Sequence, residues 1–126
     1  MTVMAVIPKL ECIPFPTPRR SVEVATGTEL IVWEERMTGN FVGFIDRISV
    51  SRGDDLLGCA NTWVDFIVDG VLIERIQREI SLNLPDVFHP EIVVRRIVTF
   101  RAHNGDISDH EFEVVVQGRL CKHWKP

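Results

Sequence analysis

The sequence predicts an all-β chain folded as an antiparallel two-sheet sandwich, and three observations carry that prediction. Short runs rich in Val, Ile, Phe and Trp recur along the chain, with apolar side chains spaced at period two. Turn residues separate the runs, most clearly Asp69-Gly70 and Asn104-Gly105. The segment from Phe112 to Leu120 alternates cleanly, with Phe112, Val114, Val116, Gly118 and Leu120 on one face and Glu111, Glu113, Gln117 and Arg119 on the other. About seven or eight such strands suit a two-sheet sandwich, of which the jelly roll is one form.

Along the chain, residues 1–20 are expected to be an extended N-terminal arm and residues 21–126 the sandwich domain. Pro8, Pro14, Pro16 and Pro18 fix φ and remove backbone donors, which excludes a helix or a central strand. Leu10, Ile13 and Phe15 gain nothing from floating in water, so the arm is expected to lie on a surface, its own or a neighbour's. In TELIVW, Leu30 and Val32 alternate with Ile31 and Trp33, apolar on both sides. MTGN at residues 37–40 reads as a turn, and FVGFIDRISVS places Val42, Phe44, Ile48 and Val50 at period two. RGDDLLGCAN is loop-like, punctuated by Gly53 and Gly58.

TWVDFIVDGVLI is the clearest local signal. Two β-rich runs flank Asp69-Gly70, a pair suited to the positive φ angles of a type I′ hairpin turn. The hairpin favours a strand at residues 71–74, while residues 75–80 fit either a strand or a helical turn. LPDVFHP is expected to be a loop between Pro85 and Pro90, followed by one long strand from Ile92 to Ala102. In that strand Val94 and Val98 point one way and Val93 and Ile97 the other; one set can face the core, and the other needs cover. Adjacent Arg95 and Arg96 would then point to opposite sides, and an arginine beside Val94 and Val98 must pair with a carboxylate or reach solvent.

The chain has 126 residues, one domain's worth, and its 45% hydrophobic content suits a globular core. A formal net charge of −4 with scattered basic residues disfavours a nucleic-acid partner. No run approaches the roughly 20 apolar residues of a membrane span, so no membrane partner is expected. The N-terminal MTVMAVIPKLE lacks a basic region ahead of its apolar residues, and synthesis in a cytoplasm is expected. Cys12, Cys59 and Cys121 are odd in number and form no CxxC, so reduced thiols are expected.

Neither GxSxG, GxxxxGK[ST] nor GxGxxG occurs, and no enzyme activity or cofactor is expected. The densest polar stretch is His103-Asn104-Gly105-Asp106 with Asp109-His110-Glu111, then Cys121 and His123. These residue types ligate metals, but the spacing matches no HExxH or calcium loop, and a polar turn built on Asn and Asp side chains is the expected reading. Trp33, Trp63 and Trp124 are expected as core or interface anchors, with stacking on sugar rings the alternative. Arg52-Gly53-Asp54 reads as a chance tripeptide.

GTELIVWEE, FVGFIDRISV, TWVDFIVDGVLI, IVVRRIVTFRAHN and HEFEVVVQGRLCKHW follow one another over residues 24–124. In that order the pattern resembles small β-sandwich structural proteins of tailed bacteriophages, of the capsid-decoration, head-fibre or tail-attachment type. The resemblance implies a non-enzymatic virion protein that binds copies of itself and other virion proteins, with a trimer the first expectation. Candidate partner-binding residues are Leu10, Ile13, Phe15, Val93, Arg95 and Ile97. The rival readings are a carbohydrate- or receptor-binding sandwich and a small metal-dependent enzyme.

Overall fold

The computed structural model describes residues 11–52, 61–77 and 85–122. They form nine strands: β1 (Glu11–Pro14), β2 (Arg19–Val24), β3 (Thr28–Arg36), β4 (Phe41–Arg52), β5 (Thr62–Val68), β6 (Val71–Ile76), β7 (Asp86–Val94), β8 (Ile97–Asn104) and β9 (His110–Lys122). Two antiparallel sheets pack face to face as a β-sandwich. One runs β1-β9-β4-β7, with β2 also paired to β9; the other runs β3-β8-β5-β6.

The pairing is nested. β5 pairs with β6 through the tight turn, β4 with β7, β3 with β8 and β2 with β9. The chain is thus a long double-stranded ribbon, rolled so that successive levels fall in opposite sheets. Its tip is the Asp69-Gly70 turn, where φ is 52° at Asp69 and 83° at Gly70, as the sequence predicts. Phe66, Phe100 and Phe112, wholly buried, fill the space between the sheets with Ile45, Ile48, Val64, Val98 and Val114. The closing strand buries Phe112, Val114, Val116 and Leu120, the face its alternation predicts.

The N-terminal segment is corrected most. Glu11–Pro14 is a strand on the sandwich itself, with Glu11 opposite Lys122 and Ile13 opposite Leu120. The boundary expected at residue 20 falls inside β2, whose Arg19 already pairs with Val115. Prolines 14, 16 and 18 are compatible with this because β1 is a short edge strand and the chain leaves the ladder between β1 and β2. Register also places Cys12 opposite Cys121, and the two form a disulfide, in place of the expected free thiols. Cys59 lies outside the described residues.

Bulges explain the misassigned faces. The β3–β8 register shifts between Ile31 and Trp33, so Leu30 and Ile31 are both exposed and Val32 and Trp33 both buried. The β4–β7 and β4–β9 registers shift between Ile45 and Arg47, so Gly43 and Ile45 share the inner face with Ile48 and Val50, while Val42 and Phe44 turn outward. The expected long strand from Ile92 to Ala102 is two strands. Arg95-Arg96 is the turn that carries the chain from one sheet to the other, and Val93 and Ile97 therefore lie in different sheets. The loop expected at residues 85–90 is mostly strand, since β7 starts at Asp86. β6 settles residues 75 and 76 as strand; residues 78–80 lie outside the described residues.

Candidate partner-binding surface and pocket

The predicted partner residues separate once placed. Phe15 is 3% exposed and belongs to this chain's own core, which corrects its assignment to a neighbour. Its ring fits over two glycines: a Cβ on Gly118 would lie 2.9 Å from Phe15 Cε2, and one on Gly43 would lie 3.5 Å from Phe15 Cζ. Trp33 packs edge-on against Phe15 at 5.6 Å and donates its indole N–H to the Thr17 carbonyl at 2.7 Å. The Pro-rich segment is thus held against the sandwich by an aromatic plug and one hydrogen bond. Ile13 is exposed on β1 and Val93 on β7, while Ile97 is partly buried at the start of β8. Leu10 lies outside the described residues.

Arg95 belongs to an exposed turn, and that turn is organised by Asp69, which its place before Gly70 marks only as a hairpin residue. Asp69 Oδ1 accepts the N–H groups of Arg96 (2.7 Å) and Ile97 (3.0 Å), and Oδ2 accepts that of Arg95 (3.0 Å). The Asp69 N–H donates to the Ile97 carbonyl at 2.8 Å. Burial alone would raise the Asp69 pKa; the three backbone donors and the Arg96 guanidinium outweigh it and hold the carboxyl below its ordinary value of 3.8. Arg95 is therefore placed by its backbone, not by an ion pair inside the strand.

The exposed apolar side chains have a pattern. Apart from Ile107 in a loop, every exposed large hydrophobic among the described residues lies on β1, β3, β6 or β7: Ile13, Leu30 and Ile31, Val71 to Ile73, and Val87 and Val93. β3 and β6 are the two ends of one sheet, and β1 and β7 the ends of the other path. Edge strands usually carry charge or proline against pairing with other chains, and here three consecutive β6 residues are apolar and exposed.

The middle of the outer face of the β3-β8-β5-β6 sheet is polar by contrast. Asp65, 4% exposed, pairs with Arg75 at 2.9 Å and with Arg101 at 3.6 Å, and Glu29 lies 3.0 Å from His103 Nδ1. The hydrogen bond to Asp65 raises the Arg75 pKa further above its ordinary range. Trp63 sits between the two neighbouring strands, stacked on His103 with 4.0 Å between centroids and covered by the Arg75 guanidinium at 4.5 Å. With Trp33 in the core, neither tryptophan offers a free face to a sugar ring; Trp124 lies outside the described residues.

The polar stretch around Asn104 is a turn held by side-chain hydrogen bonds. The buried Asn104 amide donates to the carbonyls of Val24 and Ser108, both at 2.9 Å. Asp109 accepts the Thr26 N–H at 2.9 Å, and His110 Nε2 lies 2.6 Å from Asp106 Oδ2. Among the described residues no group of three or more His, Cys, Asp and Glu side chains is arranged to hold a metal. His123 lies outside them.

A pocket of about 490 Å³ opens where β4 and β7 lose register, lined by Asp46, Arg47, Val87, Phe88, His89, Pro90, Glu91 and Arg119. Ile45 pairs with Ile92 and Arg47 with Val87, so the whole stretch from Phe88 to Glu91 stands opposite Asp46 alone and bows away from it. Arg119 is held by two hydrogen bonds to Glu91, one of them 3.0 Å, and lies over the Phe44 ring at 4.9 Å. The bond to Glu91 raises the Arg119 pKa above its ordinary range. No sequence motif announced this pocket, because a bulge in one strand and a bow in another create it. Compared with known proteins, the chain matches no family model and no curated protein sequence at a significant level.

Proposed function

We propose that this chain is a non-enzymatic structural subunit that assembles with copies of itself, as part of a virion of the tailed-bacteriophage type its sequence resembles. The observation that carries the proposal is the concentration of exposed apolar side chains on the edge strands, above all Val71, Leu72 and Ile73 on β6. Such strands add readily to a neighbouring chain, through backbone pairing and apolar contact together.

Two further features support the reading. The order β2-β9-β4-β7 against β3-β8-β5-β6, with its nested pairing, supports reading the sandwich as an eight-stranded jelly roll with β1 as an extra edge strand, and viral capsid domains are one common use of that architecture. Fold alone does not assign function, so this supports the assembly reading without carrying it. The Cys12–Cys121 disulfide suits a protein that works outside a reducing cytoplasm, as one in a released particle does.

Light scattering of the purified chain at tens of micromolar tests the assembly step, with a trimer the first expectation. A monomer at that concentration overturns it. Mass spectrometry of purified particles then tests membership in a virion, and absence of the chain from particles of the phage that encodes it overturns that part alone.

A further inference from the structure

We propose that the pocket at the β4–β7 bulge binds an uncharged sugar, a single pyranose or the terminal residue of a glycan. The site is separate from the β6 edge that carries the assembly reading.

The pocket's volume, about 490 Å³, lies within the roughly 300–1,000 Å³ of small-ligand sites. Its charges balance: Asp46 and Glu91 are opposed by Arg47 and Arg119. Glu91 and Arg119 satisfy each other. Asp46 adds its negative charge beside the same Arg119 guanidinium. Asp46 Oδ1 is enclosed and makes no hydrogen bond within the described residues. The side chains of Arg47 and His89 are exposed on the pocket wall, with no hydrogen bond or ion pair to the described residues. Asp46 Oδ1 and the side chains of Arg47 and His89 therefore line one space with no hydrogen bond among the described residues.

A ligand for this arrangement must offer donors and acceptors side by side and carry no net charge. An anion would meet Asp46 and Glu91, and a cation would meet Arg47. Hydroxyl groups meet both demands, because each donates one hydrogen bond and accepts others. The wall formed by Val87, Phe88 and Pro90 is apolar and faces the same space. Phe88 is fixed from behind by the core, its ring 5.7 Å from that of Phe66. A pyranose ring has this same division, with an apolar C–H face and a polar hydroxyl rim. In the proposed pose the C–H face lies along Phe88 and Pro90, ring hydroxyls donate to the Asp46 carboxylate, and others accept from Arg47 and His89.

The test is two-dimensional NMR of the full chain titrated with glucose, galactose and mannose at up to tens of millimolar, beside glucuronate and glucosamine as charged controls. We expect at least one neutral sugar to shift the amide resonances of Asp46, Arg47, His89 and Glu91, and to do so at lower concentration than either control. Arg47 is exposed, so Arg47→Ala leaves the spectrum elsewhere unchanged while weakening that sugar roughly tenfold, the effect of losing one hydrogen bond from a charged donor. The proposal is overturned if none of the neutral sugars moves these resonances, if a charged control binds more tightly, or if Arg47→Ala leaves the affinity unchanged.

Discussion

Asp69 shows how much one side chain can do beyond its local role. Its place before Gly70 marks it as a turn residue, and it is one, with φ at 52°. The same carboxylate also gathers three consecutive backbone N–H groups from residues distant in sequence, which closes the turn between β7 and β8. Asp69→Ala is expected to cost about 1.5–3 kcal/mol in urea unfolding, the range for hydrogen bonds to a charged acceptor. The pH dependence follows from a folded pKa below 3.8. A depressed carboxyl pKa stabilises the fold fully above the unfolded value and loses that contribution as pH falls through the folded one. The stability gap between the native chain and Asp69→Asn should thus be widest at neutral pH and narrower at about pH 3; a gap independent of pH would contradict this account. Gly118 is the second residue whose side chain, or lack of one, is decisive. A Cβ there would overlap the Phe44 carbonyl oxygen and come within 3.0 Å of Ile45 Cα, both backbone atoms that cannot turn aside. Gly118→Ala is expected to lower stability by about 3 kcal/mol or more, at the upper end for overpacking, read as a lower denaturant midpoint. In the sequence Gly118 is one more position on the inner face; nothing in the strand marks it as the seat of Phe15.

At the scale of elements, the N-terminal strand is part of the fold and not a detachable arm. Deleting residues 1–20 removes β1, the Phe15 plug, one half of the disulfide and the first two residues of β2. Losing a buried phenylalanine alone costs about 3–5 kcal/mol, so the truncated chain is expected to be strongly destabilised or unfolded by circular dichroism. A truncated chain that melts like the full one would contradict the placement of Phe15. The disulfide spans 109 residues of sequence, a long loop to close in the unfolded chain. Its reduction should lower stability by about 2–4 kcal/mol, a fall of roughly 10 °C or more in the melting temperature. Cys12→Ser should reproduce that fall and respond no further to reductant. Neither effect could be read from three cysteines without CxxC, because only the pairing of β1 with β9 brings Cys12 and Cys121 together. The break between β7 and β8 was hidden for a similar reason. IVVRRIVTF has the composition of one continuous strand, and its bend is imposed by Asp69 from another hairpin.

For the whole molecule, the rolled ribbon leaves strands at four sheet ends, and their exposed apolar side chains are what assembly would cover. Leu72→Asp on β6 tests this. Leu72 is half exposed, so the change should alter the stability of the subunit by no more than about 0.5 kcal/mol. It is expected to shift the oligomer measured by light scattering toward monomer with the melting temperature nearly constant. An unchanged oligomer would move the interface away from β6. The expectation that Val93 and Ile97 form one partner strip does not survive, because the Arg95-Arg96 turn sends them to different sheets; Val93 remains exposed at the β7 edge.

The class of the fold, the hairpin at Asp69-Gly70 and the inner face of the closing strand are legible in the residues alone. Each of these depends on short-range chemistry: period-two burial, positive φ at a turn, and alternation along one strand. Which strands pair is settled by contacts between distant segments, and with that pairing come the disulfide, the burial of Phe15, the faces of β3 and β4 and the pocket opposite Asp46. All of these depend on register between segments far apart in sequence, and a shift of one residue exchanges a strand's two faces. Bulges at Val32 and Asp46 make such shifts without altering the hydrophobic pattern, which is why that pattern alone does not reveal them.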